Sequence, residues 1–228
     1  QAEDGIRDSV ASRGLGDVYK RQGYLVEKLS GQKLDEYFKE NIFEPLGMVD
    51  TDFHCPDEKK SRLASLYEHN PLGKPNHMEV PSLDVKMLSG GGGLFSTLSD
   101  YYKFASMLLN QGECDGERII GRKTLEYMTT NHLPDGKDLT EMSESAFSET
   151  PYAGVGFGLG FSVMLDPAKS QALSDVGEFG WGGMASTVYF INPKEDMLVI
   201  FLTQLVPSST YQVRRELRSL VYSALMPE

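Results

Sequence analysis

The only tryptophan of the chain stands among small residues, in the run Gly180-Trp181-Gly182-Gly183-Met184-Ala185-Ser186-Thr187. A strand-like phrase, VYFINP, follows directly. Two readings of this run are open. Glycines beside a tryptophan let one backbone approach another closely, which is a packing role. Small residues at the start of a strand also let a substrate lie against the main chain, with an N–H left free to receive an oxyanion, which is a catalytic role.

Other catalytic patterns are missing. The chain holds no HExxH, no CxxC, no phosphate-binding P-loop and no GxSxG elbow. His54, Cys55, His69 and His77 fall within 24 residues, but their spacing shows no convergent ligand set, so a polar loop is expected and no metal. Ser-x-x-Lys, a pairing that can activate a serine, occurs once, at Ser30-Gly31-Gln32-Lys33. With 21 serines and 13 lysines in 228 residues, chance alone supplies about one such match, so this one is read as a decoy in a turn.

The elements that must position these residues follow from periodicity. Tyr24–Leu29 reads as a helix end closed by Ser30-Gly31. Leu34, Tyr37, Phe38 and Ile42 lie on one face of a second helix, ended by Pro45-Leu46-Gly47. Residues 50–88 read as a partly irregular excursion, and Gly90–Gly93 as a break, either a linker or a tight loop near the site. Thr97 caps a helix whose apolar face is Tyr101, Phe104, Ala105, Leu108 and Leu109. A shorter helix covers about 122–130, and residues 134–152 read as an acidic, mobile loop. The period then changes. Gly156–Val163 reads as one glycine-rich strand, and 186–191 and 197–204 as a hairpin with a five-residue loop. Its second strand, MLVIFLTQ, is apolar on both faces and is expected at the centre of a covered sheet. Ser208 or Ser209 is expected to cap a last helix with Val213, Leu217, Leu220, Val221, Ala224 and Leu225 facing the protein. Helices, then a meandering antiparallel sheet, then a covering helix define an α+β domain.

Composition sets the outer limits. A net charge of −11 and pI ≈ 4.9 leave no basic stripe for nucleic acid. No apolar stretch approaches the length of a membrane span. Two cysteines, Cys55 and Cys114, make no disulfide framework; two free thiols are expected rather than one bridge. Residues 1–22 have four acids and four bases, sparse apolar positions and no convincing stop. Their run IRDS…SRGLGDVYKRQ resembles a translated sequencing-adapter read-through, as found at the ends of metagenomic gene predictions. The expectation is therefore a non-native leader over 1–22 and a partial domain over 23–228.

Four phrases taken together carry a family resemblance: GYLVEKLSGQKLDEYFKENIFEPLGMVDTDF, SGGGGLFSTLSDYYKFASMLLNQG, GWGGMAST and YFINPKEDMLVIFLTQ. In this order and spacing the chain resembles the β-lactamase-related serine hydrolases: class C β-lactamases, family VIII carboxylesterases, penicillin-binding D-peptidases and D-aminopeptidases. The resemblance implies the C-terminal portion of a β-lactamase/transpeptidase-like fold. It also implies an acyl-enzyme mechanism without cofactor or metal, in which a Ser-x-x-Lys serine attacks an ester or amide of a small molecule while the lysine and a Tyr-x-Asn tyrosine move protons.

Trp181-Gly182-Gly183 matches the family's third motif in its Trp-Gly-Gly form, and Met184 N–H would then be an oxyanion donor. Tryptophan in place of the more usual lysine removes a cation for a substrate carboxylate, which favours neutral esters over β-lactams and D-peptides. The other two motifs do not carry over. None of the 11 tyrosines has Asn two residues on. The family's tyrosine belongs near Leu15, inside the leader, and Tyr19 is out of register. The expectation is a hydrolase fragment lacking Ser, Lys and Tyr. The rivals are a β-lactamase or D-peptidase on the same scaffold, or a catalysis-deficient binding relative.

Overall fold

The structure is a computed structural model, and it describes residues 21–79, 88–142 and 152–225. Residues 1–20 of the expected leader and residues 143–151 of the expected acidic loop lie outside these ranges.

Local signals place the first elements. Helix α1 (residues 21–30) stops where Gly31 takes φ +75°, a left-handed value that glycine adopts without penalty. Helix α2 (Leu34–Phe38) widens into a π turn over Lys39–Phe43. The excursion holds a 3-10 turn (Asp57–Arg62) and two short strands, β1 (Leu66–Glu68) and β2 (Asn76–Met78). Helix α3 (Leu98–Leu109) is capped as the sequence indicates, with the Thr97 hydroxyl accepting from Asp100 N at 3.2 Å. Asp100 is itself buried, accepting from Asp50 N at 2.6 Å and from the Thr51 hydroxyl at 3.0 Å, and so ties the helix start to the excursion.

Strands β3 (Glu113–Cys114) and β4 (Glu117–Arg118) form a small hairpin ahead of α4 (Arg122–Met128). The stretch after it carries a short 3-10 turn and the single-turn helix α5 (Leu139–Met142). The glycine-rich run is two strands, β5 (Val155–Phe157) and β6 (Ser162–Met164), not one. Gly160, at φ +100°, lies in the turn that reverses the chain between them. After the single-turn helix α6 (Pro167–Ser170) come β7 (Phe179–Gly182), β8 (Val188–Asn192), β9 (Met197–Phe201) and the short β10 (Leu205–Val206). Helix α7 (Val213–Ser223) closes the described chain.

Strands β5-β6-β7-β8-β9 make one antiparallel sheet in sequence order; β10 joins β1 and β2 in a second. The α+β architecture is as expected. Strand β9 is not central: among the described residues it pairs only with β8 and forms the sheet edge. The hydrophobic core lies between the sheet and α3. Phe161, Val163, Phe179, Tyr189 and Ile191 meet Ala105, Met107 and Leu108, with Phe43, Leu46 and Met48 closing the end.

Helix α7 lies on the opposite face and meets expectation in part: Val213, Leu217 and Val221 of the expected stripe are half-buried, while Leu220, Ala224 and Leu225 are exposed. Leu220 is 71% exposed, and none of its residues is fully buried. Beside the half-buried Val213, Leu217 and Val221, the row Arg214, Arg218 and Tyr222 faces the sheet at four-residue spacing. Nor does a serine cap it: residues 208–210 are a 3-10 turn, and the N-cap position, Gln212, makes no side-chain bond.

Candidate active site

Strand β7 brings Trp181 and Gly182 to the end of the sheet, and Gly183 and Met184 begin the turn into β8. Each glycine has a separate physical cause. At Gly180 a Cβ would run into the backbone of Tyr189 and Phe190 on β8, the close strand approach expected. At Gly182 it would fall 2.6 Å from Cζ of Arg214, so this glycine makes room for a guanidinium. At Gly183 it would strike the Thr187 hydroxyl. The Trp181 ring turns to the core side and meets Phe157 edge-on, centroids 5.2 Å apart.

The turn is held at several points. Ser186 N donates to Gly183 O at 3.1 Å and Gly183 N to Thr187 O at 3.0 Å. Ser186 takes φ +69°, unusual for a residue with a side chain. Its buried hydroxyl offsets this by donating to Leu205 O at 2.6 Å, while Leu205 N donates to Ala185 O at 3.1 Å. From α7, Arg214 Nη2 donates to Gly183 O at 2.7 Å and to Thr187 O at 3.1 Å. At the crown, Met184 N–H donates to no protein acceptor among the described residues, and its side chain is exposed. Held, outward-facing amides of this kind can accept a developing negative charge.

A cavity of about 290 Å³ opens beside this strand, on the α7 side, lined by Gly180, Gly182, Phe190, Arg214 and Arg218. Met184 is not among its lining residues, so the cavity and the crown amide are neighbours rather than one chamber.

The other candidates are accounted for by local structure. Ser30 is exposed at the end of α1; its hydroxyl donates to Val26 O at 2.6 Å and accepts from Gln32 N at 3.2 Å, an ordinary helix-end role. Gly90–Gly93 is a tight turn with a bridge between Ser89 and Gly92, seated where a Cβ on Gly23 would fall 2.8 Å from Gly90 N. Among the described residues no group of histidines, cysteines and acids is placed to hold a metal. His77 instead meets Tyr67 edge-on, and His69 meets Tyr211. Both cysteines are free thiols. Tyr101, packed against Tyr189, has its phenol pushed up to about 12 by burial, with the bond to Tyr189 opposing; it is not a base at neutral pH. No described helix is long and apolar enough to cross a membrane. Sequence reasoning missed Arg214, Ser186 and Leu205. The one local mark in the sequence is Gly182, whose missing Cβ makes room for Arg214.

This architecture, an antiparallel sheet with helices on both faces, is that of the β-lactamase and transpeptidase-like proteins. A profile described as Beta-lactamase matches residues 19–223, and the chain belongs to that family. It is 33% identical over 197 residues to Protein Rv1367c of Mycobacterium tuberculosis, covering 81% of this chain and 47% of that protein. It is 26% identical over 206 residues to the lovastatin esterase of Penicillium rubens, covering 81% and 48%. Among solved structures, a simvastatin synthase (LovD) variant from Aspergillus terreus superposes with TM-score 0.76 at 24% identity, over 90% of this chain and 53% of that one. The chain thus spans about half the length of the relatives it matches.

Proposed function

We propose that residues 23–228 are the C-terminal part of a serine hydrolase domain that acts on neutral esters through an acyl-enzyme. In this reading the turn after Trp181 is its oxyanion-receiving element. Met184 N–H is the donor, Trp181 and Gly182 border the acyl group, and Gly183 lets the turn form. The observation that carries the reading is the outward Met184 amide on a turn tied to α7 and to the chain at Leu205. Tryptophan at the position where the family more often has lysine favours an uncharged substrate. The esterase among the relatives points the same way.

Serine, lysine and tyrosine of the acylation machinery are not supplied by this polypeptide. Ser30 is occupied by its own helix end, and the half-length match leaves room for a preceding half. The apolar, unpaired edge of β9 among the described residues supports a further strand beside it.

The test has two arms. The 228-residue chain is expected to show no turnover of p-nitrophenyl acetate; turnover abolished by Ser30→Ala would overturn the assignment of the serine. The longer polypeptide read from DNA upstream of the Gly23 codon is expected to carry Ser-x-x-Lys and to hydrolyse p-nitrophenyl esters in preference to nitrocefin or D-alanyl peptides. An upstream sequence without that motif favours a binding relative, and a preference for nitrocefin or D-alanyl peptides favours a β-lactamase or D-peptidase.

A further inference from the structure

We infer that Arg214 is a positioning residue for the oxyanion turn, setting the direction of the Met184 amide from the opposite face of the sheet. The inference rests on the reading of Met184 given above, but its geometry stands separately. Arg214 Nη2 reaches two carbonyls, Gly183 O at 2.7 Å and Thr187 O at 3.1 Å, one at each end of the turn. Both already accept a backbone N–H, from Ser186 and Gly183 respectively. A carbonyl oxygen has two acceptor sites, and the guanidinium takes the second on each.

The consequence for Met184 follows from peptide planarity. Gly183 C=O and Met184 N–H belong to one trans peptide unit, so they point in opposite directions. Fixing the carbonyl toward Arg214 fixes the amide away from it, outward at the crown. The peptide cannot rotate without breaking the charge-assisted bond to Gly183 O.

Gly182 belongs to the same device. Its missing Cβ is the space that Arg214 fills. Arg214 is also held in place along its own helix. One turn on, Arg218 pairs with Glu178 and lies 4.5 Å from the Phe190 ring centroid; one turn further, Tyr222 donates to Glu178 and stacks on Phe190. Both bonds leave from the single nitrogen Nη2, so the clamp depends on where the side chain places that nitrogen and on its charge.

The experiment is residue-resolved amide exchange on the 228-residue chain, which needs no turnover. In Arg214→Ala the Gly183 and Ser186 amides are expected to exchange about tenfold faster or more, and the Met184 amide resonance to move, while Phe190 and Ile191 on β8 keep their rates. Added ethylguanidinium is expected to slow the turn amides again in the alanine variant and to leave the unsubstituted chain unchanged. Unaltered turn rates in a folded variant would overturn the inference. So would an equal acceleration at Phe190 and Ile191, which would make Arg214 a general helix anchor. Should Arg214→Ala not fold, Arg214→Met, which keeps much of the side-chain length and carries no donor, takes its place: faster turn exchange is expected, and the unsubstituted rate overturns the inference. A failed esterase assay on the longer polypeptide would instead remove the catalytic role of Met184 and leave the exchange result as it was.

Discussion

The two faces of the five-stranded sheet are held by different physics. The α3 face is apolar: Phe179, Tyr189 and Ile191 meet Ala105, Met107 and Leu108, and burial there is nondirectional. The α7 face adds a polar row to apolar residues such as Val188 and Phe190. Arg214, Arg218 and Tyr222 find Gly183, Thr187, Glu178 and Phe190, and each contact has a fixed direction and length. An apolar layer tolerates a small slide of one element on another. A guanidinium that must reach two carbonyls does not. The apolar face therefore supplies most of the stability. We propose that the polar face supplies register, which the turn beside Trp181 needs more than it needs stability.

The comparison is tested most severely at Glu178. Its side chain is nearly inaccessible and accepts from both Arg218 and Tyr222. Glu178→Ala strands the largely buried Arg218 without its counter-ion, leaving the long 3.4 Å contact to Ser174 and the face of the Phe190 ring. The expected loss is about 3–5 kcal/mol in urea unfolding, the usual result when one partner of a buried pair is removed. A loss below about 1 kcal/mol would mean that α7 is held by something other than this network. The matching test on the apolar face is Ile191→Ala. Ile191 is fully buried on β8, and removing it should lower stability by about 2–5 kcal/mol through lost burial and an unfilled cavity. This variant should leave the exchange of the Gly183 and Ser186 amides unchanged relative to their neighbours.

What the sequence made legible divides along the same line. The Thr97 cap, the α3 face and the hairpin across Asn192–Asp196 were readable because their signals sit within a few residues of each other. The orientation of α7 was so only in part. Arg218 turns inward because Glu178 receives it, and Glu178 lies 40 residues away. Val213, Leu217 and Val221 of the apolar stripe do turn inward, and the nonlocal pairing sets Arg218 and Tyr222 beside them while Leu220, Ala224 and Leu225 stay exposed. Trp181-Gly182-Gly183 was recognisable as special, but the cause of Gly182 was hidden in a side chain on another element. Strand β9 was read as central from its apolarity, and its edge position depends on which chain segments are present to pair with it.

A smaller effect is expected from acid. Lys194 and then Asn192 hold the Asp175 carboxyl below its ordinary value of 3.8, against the opposing effect of burial. A depressed carboxyl contributes stability that is fully present above its unfolded value and lost as pH falls through its folded one. Unfolding measured between pH 7 and pH 3 should therefore show an acid-side loss that Asp175→Asn reduces. The amount is about 1 kcal/mol or less, because Lys194 is mostly exposed and water screens the pair. An unchanged pH profile in Asp175→Asn would place the acid sensitivity elsewhere, with Asp138 beside Lys169 the next group to substitute.

The smallest loss is expected where the most is changed. Replacing Glu178, Arg218 and Tyr222 together by Leu, Met and Phe removes both buried charges and the phenol at once; of the groups left, the Ser174 hydroxyl is half-buried and gives up one long contact. Asn192 keeps Asp175 as a partner. Apolar replacement of a whole buried ion pair is commonly neutral or stabilising, so urea unfolding should fall within about 1 kcal/mol of the unsubstituted chain or above it. The same variant should expose what the charges are for. With Arg218 and Tyr222 no longer fixing its register, α7 can shift along the sheet, and Arg214 loses its alignment on Gly183 and Thr187. The turn amides at Gly183 and Ser186 should then exchange faster although global stability is intact. Unchanged turn exchange at intact stability would show that Arg214 finds its carbonyls without help from the rest of the helix. A large loss of stability would show that the polar face is needed for folding as well as for register.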